Sequence, residues 1–227
     1  MDDPASATVE SGASDWEKAV QSGHCPICFL LQQDEFHRVC RWVGGDIADE
    51  GNRRGLDEAG GFCNWHFWLL NEIHSPQSGS VVNDYIAARL VEWLRNCAWQ
   101  AWQAQAASLR ERATRCPLCA HVRACESAHV RSFVGWVSDG LAWSRYVESR
   151  GLCLPHLVRC QALVREEPLR ERLNGAQIKQ MERLQDEMRE LVGKLTSGRR
   201  WEATRDEWRA WERATERFVG RRGLLPP

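Results

Sequence analysis

No stretch of the 227 residues runs apolar for the length that a membrane-spanning helix needs. The first residues, Met1 to Ala13, are acidic and rich in Ala and Ser. They resemble neither a signal peptide nor a transmembrane segment, so cytoplasmic residence is expected. Net charge is nearly absent: 30 Lys and Arg against 31 Asp and Glu leave −1. Such a balance gives no overall electrostatic drive toward nucleic acid or an anionic membrane, and any basic face must be local. The alternation of apolar and polar residues that marks a strand is also missing, which points to an all-α fold. Phosphate-binding glycine loops, a Ser-His-Asp order and paired-carboxylate motifs are lacking, so no enzyme class is indicated. Tyrosine is scarce, with two residues beside six Phe, whereas Trp occurs twelve times. Indoles bury much area and anchor interfaces, and most of these are expected in the core.

Cysteine is plentiful, at ten residues, and six of the ten fall into a pattern that occurs twice. Cys25-Pro26-Ile27-Cys28 is followed by Gly61-Phe62-Cys63-Asn64-Trp65-His66, and Cys116-Pro117-Leu118-Cys119 by Gly151-Leu152-Cys153-Leu154-Pro155-His156. Cys116 lies 91 residues after Cys25, and His156 lies 90 after His66. The two copies are therefore in register apart from one deleted residue, which identifies a duplication. Tight CxxC and CxxH pairs without an export signal point to metal rather than to disulfides.

Three thiols and one imidazole per copy make a Cys3His set, the donor type of closed, tetrahedral, structural zinc sites. A CxxC pair presents two thiolates to one ion where the chain turns into a helix, and a CxxH pair places its ligands on one helical face. The expectation is one ion per copy, with Cys25, Cys28, Cys63 and His66 around the first and Cys116, Cys119, Cys153 and His156 around the second, so that two Zn2+ bind per chain. Iron–sulfur ligation is the alternative. A thioredoxin-like redox pair leaves the CxxH unexplained, and catalytic zinc needs an open fourth position that the chain itself fills.

These motifs, each followed by a long helix, resemble a poorly characterised prokaryotic family known mainly by its paired cysteine motifs. The likeness runs from about Gly23 to Leu195. It implies metal ligation at the same eight residues and names no substrate.

Helical spacing places elements around the motifs. Ser14 to Glu17 reads as a capping box opening a short helix that ends near Gly23. Pro26 to Gly44 is helical, and Gly44 to Gly61 reads as a mobile connector with room for a helix from Arg53 to Ala59. Cys63 to about His74 is the next helix, ended by Pro76. A long one runs from Val81 to Ala113 on a stripe of Ile86, Leu90, Leu94, Cys97 and Ala101, widened by Trp93, Trp99 and Trp102. In the second copy helices are expected over Leu118 to Val137, Leu141 to Ser149, Cys153 to Glu166 and Pro168 to Leu195, the last with Ile178, Met181, Leu184, Met188, Leu191 and Leu195 on its packing face. A final helix, Arg199 to Val219, has no counterpart in the first copy. The domain reading is thus a disordered 1–14, modules at 15–113 and 114–197, and a C-terminal helix and tail at 198–227.

Cys40, Cys97 and Cys160 are expected to be core thiols, with Cys125 open between packing and chemistry, His24 to lie outside the metal set, and His37, His74, His121 and His129 to lie at the surface. Asp46, Asp49 and Glu50 read as solvated loop charge. Trp201, Trp208 and Trp211 share one broad face of the final helix, which either docks on its own chain or receives a partner. The function expected is that of a non-enzymatic adaptor or accessory subunit binding another protein in a larger complex. The alternatives are a nucleic-acid-binding regulator, for which Arg123, Arg131, Arg145, Arg150 and Arg159 would have to cluster, and an iron–sulfur or thiol redox protein.

Overall fold

The computed structural model describes residues 12–96 and 115–224. The expectations for residues 1–11, Cys97, Trp99, Ala101, Trp102, the helix end at 113 and the last three residues lie outside the described residues, as does the side chain of Trp93. The described residues form eleven α-helices and no strand. These are α1 (Ala13–Gln21), α2 (Pro26–Gly44), α3 (Glu50–Ala59), α4 (Asn64–Ile73), α5 (Pro76–Asn96), α6 (Pro117–Val137), α7 (Gly140–Glu148), α8 (Leu154–Leu163), α9 (Glu167–Thr196), α10 (Arg205–Trp208) and α11 (Ala210–Val219). No described helix is long and apolar enough to cross a membrane.

Two compact units emerge, and they are not the two sequence copies. Among the described residues one unit takes 33–96 and 115–125, and the other takes 12–32 and 126–224. Helices α2 and α6 each give their first turns to one unit and the remainder to the other, because each continues well past its CPxC start.

In the 33–125 unit Trp42 and Phe62 meet edge to face at 5.1 Å, surrounded by Val39, Ile47, Leu56, Leu70 and Val82. Ile47 and Leu56 belong to the segment read as a mobile connector. The helix allowed for over Arg53 to Ala59 is present as α3 and starts earlier, at Glu50: a 3-10 turn at Asp46–Ala48 leads into it, and its cap Asp49 accepts from the Asn52 amide at 2.8 Å. The two apolar residues, hidden between charged ones, supply the burial that orders it. Asp46 is paired as well, with Arg38 at 3.0 Å. Pro76 opens α5 rather than only ending α4, since proline suits a first helical turn and Ser75 and Ser78 cap it reciprocally. On α5 Leu90 and Leu94 are exposed, so the expected stripe is buried only near Val82.

In the other unit Trp16 packs against Phe133 at 5.4 Å and donates to Ser132 Oγ at 3.1 Å, and Phe133 meets Tyr146 at 5.3 Å. His129, expected at the surface, is buried edge-on against Trp16. Helix α1 starts one residue before Ser14, with the Asp15 carboxylate accepting the Gly12 amide at 3.2 Å. The final helix is broken: a capping box at Thr204 and Glu207 starts α10, and α11 follows after Arg209. Among the described residues only Trp16 and Trp42 are fully buried indoles, while Trp65, Trp68, Trp201, Trp208 and Trp211 are exposed, against the expectation that most lie in the core.

Candidate metal centres

All eight expected ligands gather, but crosswise. One buried cluster joins Cys25, Cys28, Cys153 and His156, and the other joins Cys63, His66, Cys116 and Cys119. Each CxxC thus meets the CxxH of the other copy, and the expectation that each copy closes on its own ion is corrected. Each cluster lies within a single compact unit.

The local structure explains why thiols converge here. Pro26 and Pro117 open α2 and α6 immediately after Cys25 and Cys116, while Cys63 and Cys153 cap α4 and α8. Each cluster therefore collects two helix N-termini, whose unsatisfied amides and dipoles favour thiolate charge. Three thiolates exceed the charge of one divalent ion by one, and the two helix ends offset the excess.

The spacing fits a tetrahedral ion. Bonds of about 2.3 Å to sulfur and about 2.05 Å to nitrogen imply S–S edges of about 3.8 Å and S–N edges of about 3.6 Å. Cys28 and Cys153 are 3.8 Å apart, and His156 Nδ1 lies 3.4, 3.4 and 3.1 Å from Cys25, Cys28 and Cys153. In the other cluster Cys63 and Cys119 are 3.6 Å apart, with His66 Nδ1 at 3.1, 3.5 and 3.3 Å from Cys63, Cys116 and Cys119. These are the residues that could hold a metal ion, and four protein donors leave no coordination position for water.

Both histidines are aimed by a buried carboxylate. His66 Nε2 donates to Glu35 at 3.1 Å and His156 Nε2 to Glu126 at 3.1 Å, which leaves each Nδ1 lone pair for an ion. Glu35 also accepts from Trp65 Nε1 at 3.0 Å, and Glu126 from Arg159 at 2.7 Å. Burial opposes protonation of His66, but the hydrogen bonds it donates to Cys116, Cys63 and Glu35 outweigh it and push the imidazole up to about 11. His156 is pushed up to about 12 in the same way, burial being outweighed by Cys153, Cys25 and Glu126. Burial also opposes ionisation of Cys25, yet hydrogen bonds from Cys153, Cys28 and His156 hold it well below the ordinary thiol range. Hydrogen bonds from Cys116 and Cys119 do the same for Cys63. A metal ion competes with these protons, so binding displaces them.

Glu35 and Glu126 were missed in the sequence although a signal was present, for they are 91 residues apart, the offset of the CPxC copies. Also missed was the cradle of the Gly151 loop. Gln177 Nε2 donates to the Leu152 carbonyl at 3.0 Å, Gln180 Nε2 to the Tyr146 carbonyl at 3.1 Å, and Arg217 to the Gly151 carbonyl at 2.7 Å. Gly151 has φ +83, and a Cβ there would lie 2.0 Å from Gln180 Oε1.

The other candidates separate cleanly. His24 bonds Glu216 at 2.9 Å and is not a ligand. Burial pushes the Cys125 thiol up to about 12, with the Asp34 charge adding to it, and burial beside Cys25 and Cys153 also pushes up Cys160. Both are neutral core thiols. Cys40 is half-buried. Of the arginines that a nucleic-acid surface would need, Arg145 pairs with Glu17, Arg150 with Glu187 and Asp206, and Arg159 with Glu126. Trp201, Trp208 and Trp211 are not brought into any core: α11 docks on α9 through Ala210 and Ala214 against Leu184, with Met181 and Met188 alongside.

No curated protein and no solved structure matches the chain. A family match covers residues 16–221. With both clusters and the C-terminal helix inside that match, the chain belongs to DUF6062, a family of unknown function.

Proposed function

We propose that the chain is a non-enzymatic adaptor or accessory subunit, held in shape by two structural zinc ions, that binds another protein through its C-terminal aromatic surface. The observation that carries the reading is the two-sided character of the C-terminal segment. Ala210, Ala214 and Arg217 face inward, whereas Trp211 is 61% exposed and Trp201 77%. Trp211 and Phe218, both exposed, lie seven residues apart in α11, which keeps them on one helical face, and the exposed Trp208 ends α10 just before it. Exposed apolar patches of this kind mark interaction sites, and Trp is the residue most enriched where binding energy concentrates.

The closed clusters support a structural role for the metal, and their one imidazole and three thiols, at tetrahedral spacing, favour zinc over an iron–sulfur cluster. Structural zinc contributes on the order of 10 kcal/mol to folding. Elemental analysis of protein purified without added metal should give two zinc per chain, and iron would sink the assignment. The tagged full chain recovered from native cells should carry a defined protein partner, lost on combined Trp208→Ala, Trp211→Ala and Phe218→Ala. Recovery of the unaltered chain alone, as a free monomer, would overturn the adaptor reading.

A further inference from the structure

Two neighbouring residues of α11 reach the two segments that bring Cys25 and Cys153 together. Glu216 accepts the Cys25 backbone amide at 3.4 Å through Oε1 and binds His24 Nδ1 at 2.9 Å through Oε2. Arg217, which is buried, donates to the Gly151 carbonyl at 2.7 Å, two residues before Cys153. Neither residue is itself a ligand. Each holds backbone beside a ligand, and the two held segments are more than a hundred residues apart in the chain.

The same helix is tied to the rest of its unit by a charge network. Arg213 and Arg150 both pair with Glu187 of α9, and both reach Asp206 of α10. Arg150 immediately precedes Gly151, so this network also ends at the ligand loop. Lys194 and Glu207 add a pair at 2.6 Å.

We propose that α11 is the outer wall of the Cys25, Cys28, Cys153 and His156 centre, with Glu216 and Arg217 as positioning residues that keep the CPxC knuckle and the Gly151 loop at ligating distance. The proposal rests on the metal reading given above. Metal retention and docking of α11 then stabilise each other, because a coupling between two binding events is reciprocal. Residues that orient ligands from outside a metal's own donors typically change affinity by about 10- to 100-fold when removed.

The test is zinc release from the full metal-loaded chain to a coloured chelator. In the double variant Glu216→Ala, Arg217→Met one of the two zinc ions should leave about 10-fold faster, the other at the unaltered rate. Thr215→Ala, on the exposed side of the same helix, should release both as the unaltered chain does. Two ions leaving the double variant at unaltered rates would overturn the proposal while the metal reading stands. An unaltered chain that carries no metal would remove both. Should the double variant fail to fold, hydrogen exchange on the unaltered chain decides: chelation should deprotect Ala210–Val219 together with the first turn of α8, and a helix that stays protected after that metal has left refutes the coupling.

Discussion

Cys and His at fixed spacings were legible as candidate metal donors because coordination chemistry leaves few alternatives for a CxxC beside a CxxH. The carboxylates were not, since a lone Glu on a helix is most often solvated surface, and only the 91-residue offset shared by Glu35 and Glu126 distinguishes these two. Their role makes a sharp prediction. Glu35→Ala removes the acceptor for His66, and Glu126→Ala removes the one for His156. Each should weaken one metal by about 10- to 100-fold and leave the other unchanged, as read by competition with a chelator of known affinity. Both variants weakening the same metal, or neither weakening any, would contradict the assignment. His129 shows the opposite limit of residue-level reasoning. Nothing in its neighbours distinguishes a surface histidine from one packed on Trp16, because Trp16 is far away in the chain.

At the scale of elements, periodicity located most helices to within a few residues, and the two largest departures have different causes. The segment 44–61, short of apolar residues, reads as a mobile connector, yet Ile47 and Leu56 suffice to order its 3-10 turn and α3, and the final helix, expected to be continuous, breaks at Arg209 and is ordered by Ala210, Ala214 and the pairs of Arg213 and Lys194. Glycine positions separate in the same way. Gly61 and Gly151 hold the same place in their motifs and both have positive φ, at +103 and +83. A Cβ on Gly61 meets nothing within 4 Å, whereas one on Gly151 would displace Gln180 from the Tyr146 and Ser149 carbonyls. Gly61→Ala therefore bears only backbone strain, about 1–2 kcal/mol. Gly151→Ala adds stranded buried carbonyls, for about 1–3 kcal/mol more. Urea denaturation should show the larger loss for Gly151→Ala, and equal losses would refute the cradle as an energetic feature.

Across the whole molecule the decisive finding is which candidate ligands share a cluster. Proximity in sequence favoured pairing within a copy, where Cys28 and Cys63 are 35 residues apart, yet Cys28 meets Cys153 across 125 residues. Loop closure explains why the guess carried little weight, since each doubling of a loop costs only about 0.6 kcal/mol. The longer loop is thus penalised by about 1 kcal/mol, far less than metal binding and helix packing contribute. Metal counts can verify the pairing. Cys28→Ser with Cys153→Ser should leave one metal per chain, and Cys28→Ser with Cys63→Ser should leave none; the reverse result would restore pairing within copies. The sequence by itself determined the helical class, the repeated motif and the eight candidate donors, because these follow from local periodicity and from chemistry written at fixed spacings. Only the tertiary structure decided which CxxC meets which CxxH, which carboxylate aims each imidazole and which indoles stay outside. Those outcomes depend on packing between distant segments, where the entropic difference between alternatives is small and local sequence holds no record of the choice.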